Sequence, residues 1–149
     1  MKSLREIISP LKLTCIGLAD QVVHDVTLDS RTVKTGSLYA AIKGTQVDGH
    51  NFIEKAIEAG ACAILHESPL TQLKEGVCYI QVENVSIALG QILYEFQDRC
   101  LDDLVIVGTT GTNGKTTVST LLFDLFTQLG YRCGLISTVS YRIAEATVT

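Results

Sequence analysis

The sequence predicts an α/β protein in two parts. Residues 1–101 read as a first α/β domain. Residues 102–149 read as the opening strand, phosphate loop, helix and strand of a second, parallel-sheet domain. Three observations carry this. Short β-branched or apolar runs alternate with runs whose apolar residues recur every third or fourth position. Leu104-Val105-Ile106-Val107 is a continuous apolar run, the pattern of a strand covered on both faces. A glycine-rich stretch then leads without a gap into an amphipathic helix.

The elements follow in order. Residues 4–8 suit a short helix that Pro10 stops. Residues 22–28 (V-V-H-D-V-T-L) read as one strand and residues 38–42 as another, with Asp29-Ser30-Arg31 and Thr35-Gly36-Ser37 as loop between them. Asp48-Gly49 signals a turn, after which Asn51 is expected to cap a helix with Glu54 three residues on. Phe52, Ile53, Ala56 and Ile57 give that helix one apolar face, and Gly60 ends it. Residues 62–65 and 78–82 read as strands. From residue 86 to 99, Leu89, Ile92, Leu93, Phe96 and Cys100 fall at helical spacing. In the second part, residues 104–107 form the strand. Val118, Leu121, Leu122, Leu125, Phe126 and Leu129 stripe the helix, Gly130 closes it, and residues 134–138 form the next strand. With so few elements the second part has little core of its own, so a piece of a longer enzyme is expected.

The strongest chemical signal is Gly111-Thr112-Asn113-Gly114-Lys115-Thr116-Thr117 between strand and helix. Glycines admit positive φ, which turns successive N–H groups toward one anion, and the helix aims its positive end at the same place. Lys115 supplies charge for the β- and γ-phosphates, and the Thr116 hydroxyl is placed to ligate Mg²⁺. The general pattern G-x-x-x-x-G-K-[ST] is not met in full, because Thr109 stands where its first glycine would be. No G-x-G-x-x-G is present, which argues against a dinucleotide site.

Composition excludes several classes. With 46% hydrophobic and 19% charged residues the chain is expected to be globular rather than disordered. A net charge of −4 argues against nucleic acid or an anionic membrane as main partner. No apolar run nears the ~18 residues of a membrane span, and residues 1–6 lack a signal-peptide core. The five cysteines (Cys15, Cys62, Cys78, Cys100, Cys133) show no C-x-x-C pair and are expected as reduced, buried thiols in a cytoplasmic protein. The three histidines (His24, His50, His66) lack metal-ligand spacing.

The loop Gly111–Thr117, with a non-glycine residue two before Gly111, resembles the ATP loop of the Mur ligases, the amide-forming ligases of peptidoglycan synthesis. Upstream, Leu28-Asp29-Ser30-Arg31, Gly36-Ser37-Leu38-Tyr39-Ala40-Ala41, Gly44, Asp48-Gly49-His50-Asn51-Phe52-Ile53 and residues 56–61 resemble their N-terminal uridine-nucleotide-binding domain. The T-N-G-K-T-T form is most similar to members adding the third stem-peptide residue. The resemblance implies that Leu28, Ser30, Thr45, Gln46 and Val47 contact the uridine end of the substrate. It implies that Gly111, Thr112, Asn113, Gly114, Lys115, Thr116 and Thr117 hold ATP, with Lys115 catalytic and Thr116 on Mg²⁺.

For the whole enzyme the resemblance implies ATP-dependent amide formation through an acyl phosphate. The partners implied are UDP-N-acetylmuramoyl-L-alanyl-D-glutamate and a diamino acid, meso-diaminopimelate or L-lysine. A monomer is expected, and this chain alone is expected to be catalytically silent. Two readings compete with it: another family member such as the D-Ala-D-Ala-adding ligase, and a stand-alone phosphate-loop module without ligase chemistry. A purely structural interaction domain ranks last.

Overall fold

The computed structural model describes residues 2–44, 47–143 and 146–148, and the chain divides into two compact units, Met1–Asp103 and Leu104–Thr149. The first unit opens with β1 (Lys2–Ser3) and α1 (Leu4–Ile8). A capping box starts α1: the Ser3 hydroxyl accepts from the Glu6 N–H, and the Glu6 carboxylate accepts from the Ser3 N–H. The strand β2 (Val22–Val23) pairs antiparallel with β1. Then β3 (Asp25–Thr27), β4 (Ser37–Ala40), β5 (Ala61–His66) and β6 (Cys78–Gln81) form a four-stranded parallel sheet in that order. Two helices complete the unit, α2 (Ile53–Glu58) between β4 and β5, and α3 (Val85–Phe96) after β6.

The period of two along the strands splits the core into two layers. Leu38, Ala40, Ala63, Leu65, Cys78 and Ile80 pack with Leu4 and Ile7 of α1 and with Val85, Ala88, Leu89 and Ile92 of α3. Tyr39, Ala41, Ile64, Val77 and Tyr79 pack with Ile53 and Ala56 of α2. The sheet is therefore covered on both faces. Ile64, Leu65 and Ile80 are wholly inaccessible, each worth about 1.5–3 kcal/mol relative to exposure. Between β4 and β5 the register shifts, Ser37 facing Ala61 and Leu38 facing Ala63, which puts Cys62 and Ala63 on the same side.

Several expectations are corrected here. Residues 22–28 are not one strand. The chain changes partner at His24, whose N–H donates to Gly36 O at 2.9 Å, and pairing switches from antiparallel with β1 to parallel with β4. Asp48, not Asn51, is the cap. Its carboxylate accepts the His50 N–H and starts a 3-10 turn (Gly49–Phe52) that runs into α2. Asn51 lies inside that turn, where its own N–H bonds Asp48 O. On α3, Leu93 stays partly exposed, while Val85 and Ala88 join Leu89 and Ile92 against the sheet. The cysteines are all free but not all buried: Cys62 and Cys78 are, Cys15 and Cys133 are half-buried, and Cys100 is exposed.

In the second unit α4 (Lys115–Gln128) precedes an antiparallel sheet of β7 (Gly134–Ile136), β8 (Tyr141–Ile143) and β9 (Ala146–Val148). The buried strand expected at residues 104–107 is not formed. Val105 is 94% exposed, and among the described residues this segment pairs with no strand. Nor does β7 take part in the parallel pairing expected of it; it pairs antiparallel with β8 instead. Closing a short hairpin orders far less chain than a crossover through a helix, so the nearest segment wins. The α/β class rests on the parallel sheet of the first unit. Among the described residues no helix is long and apolar enough to cross a membrane.

Candidate functional site

The glycine loop ends where Gly114, at φ +81°, forms the N-cap of α4 and its carbonyl accepts the Val118 N–H at 2.9 Å. Gly111 has φ +144°. No atom lies within 4 Å of a Cβ built at Gly114, so glycine is required there by backbone conformation and not by crowding. Among the described residues, the backbone N–H groups of residues 111–117 meet no intramolecular acceptor. A run of unsatisfied donors ahead of a helix is the donor set that an anion requires. The Lys115 ammonium folds back to donate to Gly111 O and, at 3.4 Å, to Thr112 O, which keeps the cation at the loop. Thr112, Asn113 and Thr117 are exposed, and Thr116 is half-buried in the first turn.

Thr109, the residue departing from the general loop pattern, is tied in by its side chain. Its hydroxyl lies 2.7 Å from Ser119 Oγ, and Ser119 Oγ donates to Lys115 O at 2.8 Å. Start of loop, cationic residue and second helical turn are thereby linked. Sequence reading noticed Thr109 but not this partner. A ten-residue spacing across a loop and a helix start carries no periodic signal.

In the first unit the other set sits at the carboxyl ends of parallel strands, the edge where α/β sheets bind ligands. Leu28 and Ser30 follow β3 directly, Leu28 being 53% exposed. The loop around them is wired internally. Asp29 accepts from the Arg31 N–H at 2.9 Å and forms a two-toothed pair with its guanidinium, with Nη2 at 2.6 Å. Those bonds pull the Asp29 carboxyl down to about 2. Thr32 adds bonds to Asp29 O and to the Thr27 hydroxyl. Among the described residues the Ser30 hydroxyl makes no hydrogen bond, so the turn is held by its neighbours.

Beyond β4, Val47 is 57% exposed, while Thr45 and Gln46 lie outside the described residues. Lys43 and Asp48 bridge the base of this second loop, and the Gly44 N–H donates to Val47 O at 3.0 Å. Two open grooves indent the unit, of about 490 and 430 Å³, and neither is lined by Leu28, Ser30 or Val47. His50 belongs to the smaller groove. Its ring contacts Asp48 and the turn after β5, a connection the histidine spacing did not reveal.

Comparison with known proteins identifies the family. The family model described as "Mur ligase family, catalytic domain" matches residues 22–97, just over half of the chain. The chain is 44% identical over 148 residues to the UDP-N-acetylmuramoyl-L-alanyl-D-glutamate–2,6-diaminopimelate ligase of Bacteroides fragilis, covering 99% of this chain and 30% of that protein. A solved structure of a ligase of the same name aligns over 98% of this chain and 29% of its own, with TM-score 0.67 and 26% identity. The MurF ligase of Thermotoga maritima, solved in complex with ADP, aligns over 74% of this chain and 25% of its own, at TM-score 0.57 and 30% identity. The chain thus spans less than a third of the length of these relatives. The family match takes in the whole parallel sheet and more than half of the chain, and the chain belongs to the Mur ligase family.

Proposed function

We propose that this chain carries the uridine-nucleotide site and the triphosphate loop of an ATP-dependent ligase. That ligase adds a diamino acid, meso-diaminopimelate or L-lysine, to UDP-N-acetylmuramoyl-L-alanyl-D-glutamate. The observation that carries the proposal is the row of unsatisfied N–H donors at residues 111–117 with the Lys115 ammonium beside it. The name of the Bacteroides fragilis relative, a UDP-N-acetylmuramoyl-L-alanyl-D-glutamate–2,6-diaminopimelate ligase, supports the choice of substrate.

Residues and group fit each other. Gly111, Thr112, Asn113, Gly114, Lys115, Thr116 and Thr117 would hold the triphosphate through backbone donors, and Lys115 has only neutral carbonyls to give up for an anionic partner. The Thr116 hydroxyl would serve Mg²⁺. Among the described residues no cluster of three or more acidic, histidine or cysteine side chains exists to cage a metal. When bound, ATP supplies the phosphoryl group that activates the substrate carboxylate. The loop positions and offsets its charge. In the first unit, Leu28 and Val47 offer exposed apolar contact and Ser30 a hydroxyl that reads uracil or ribose.

The test is calorimetric titration of the 149-residue chain with UDP-N-acetylmuramoyl-L-alanyl-D-glutamate and, separately, with Mg-ATP. Saturable binding of both is expected, the uridine compound more tightly. Tight nucleotide binding with no response to the uridine compound would instead favour a plain phosphate-loop module.

A further inference from the structure

We propose that His50 is a positioning residue for the loop that presents Val47. It acts as a neutral imidazole protonated on Nδ1 that staples the base of that loop to the turn after β5. The inference rests on the uridine-site reading above. The His50 side chain is 11% exposed, and its two nitrogens face opposite chemistry. Nδ1 lies 2.7 Å from Asp48 Oδ1, an acceptor. Nε2 is approached by two donors, the N–H of Glu67 at 3.2 Å and the N–H of Ser68 at 3.3 Å. A ring nitrogen that receives hydrogen bonds carries the lone pair, so the proton sits on Nδ1. Both nitrogens are engaged by the protein, which leaves neither for acid–base chemistry on a substrate.

The staple has a firm anchor at each end. On the loop side, Asp48 bridges Lys43, and the Gly49 N–H donates to Ile42 O at 2.9 Å. A Cβ built at Gly49 would come within 2.7 Å of Ile42 O, so these backbones are in close contact and cannot slide independently. The Tyr39 hydroxyl donates to Gly49 O at 3.0 Å. At the other end, the His66 ring lies 2.9 Å from Ser68 O and Gln81 Nε2 donates to Glu67 O at 3.1 Å. Glu67 Oε1 accepts the Val85 N–H that begins α3. One imidazole thus ties the loop after β4 to β5, β6 and α3.

The test uses the 149-residue chain, with UDP and Mg-ATP as probes. Imidazole ¹⁵N spectroscopy is expected to show His50 protonated on Nδ1; a ring protonated on Nε2 overturns the proposal. His50→Phe keeps a ring but removes both bonds, and should weaken UDP binding about tenfold while leaving Mg-ATP affinity unchanged. His50→Gln, which retains an acceptor for the two N–H groups and a donor for Asp48, should recover most of that loss. A folded His50→Phe chain that binds UDP like the parent, or a Gln variant no better than Phe, also overturns it. If His50→Phe fails to fold, the tautomer and the Gln variant decide. If the parent chain does not bind UDP, the substrate assignment fails on its own account. The staple is then judged by the tautomer and by whether amide shifts of Lys43, Val47 and Asp48 move in Phe and return in Gln.

Discussion

In the first unit α3 turns Val85, Ala88, Leu89 and Ile92 into the core, whereas in the second α4 carries Leu121 and Leu125 at similar spacing with 63% and 49% exposure. Among the described residues, every buried hydrophobic side chain except Leu135 belongs to the first unit. Helical periodicity therefore specifies which face of a helix is apolar, but burial needs a second layer to receive that face. Against α3 stands a completed sheet. Against α4 stands a three-stranded antiparallel sheet centred on β8. The glycine loop does not need such a layer. Its bonds run from Thr109 to Ser119 and from Lys115 to Gly111, all within one short stretch of chain. A site made of local backbone geometry can form where a core does not.

The largest expected difference lies in stability. Ile64→Ala should cost about 2–5 kcal/mol in denaturant unfolding of the first unit, because it empties a closed site between α2 and the sheet. Leu125→Ala, on the exposed face of α4, should stay within about 0.5 kcal/mol of the parent. Similar losses at both positions would erase the contrast between the units. Next in size, Lys115→Ala should weaken Mg-ATP binding by about 1.5–3 kcal/mol with uridine-nucleotide affinity untouched, as read by calorimetry. A loss shared by both ligands would mean that the sites are not separable.

Smaller still, Thr109→Val or Ser119→Ala should each reduce Mg-ATP affinity by about 0.5–1.5 kcal/mol, and Ser119→Thr should restore it. Equal affinity in all variants would make the Thr109–Ser119 tie irrelevant to the loop. The smallest effect concerns pH. Asp29 is held down to about 2, chiefly by the Arg31 side chain, against an ordinary value of 3.8. Its contribution to stability is therefore complete above about pH 4 and is lost as pH falls from there toward 2. The pair is exposed, so added salt should shrink it. An acid-unfolding curve that is identical in Asp29→Asn would remove Asp29 as a contributor.

Much of this was legible in the residues, for reasons that are local. The short helix over residues 4–8, ahead of Pro10, formed as expected. Gly114 and Lys115 start α4 where the glycine loop ends, and alternation of strands and helices indicated the α/β class. The division of residues 22–28 was not legible, because V-V-H-D-V-T-L is equally suited to either partner and only β1 and β4 decide where it breaks. Nor was the choice of Asp48 over Asn51 as cap, since both side chains can accept the same kind of bond and the path of the backbone selects between them. His50 likewise carries no sign in its neighbours of the two N–H groups, 17 and 18 residues away, that settle its proton.

What the amino-acid order determined by itself is what neighbours in sequence can settle: the positive-φ glycines of the loop, the cation after it and the apolar stripe of each helix. Tertiary structure alone decided which stripes were buried, which strand paired with which, and which histidine nitrogen holds hydrogen. The physical reason is that burial and pairing are properties of two surfaces, and a sequence window contains only one of them.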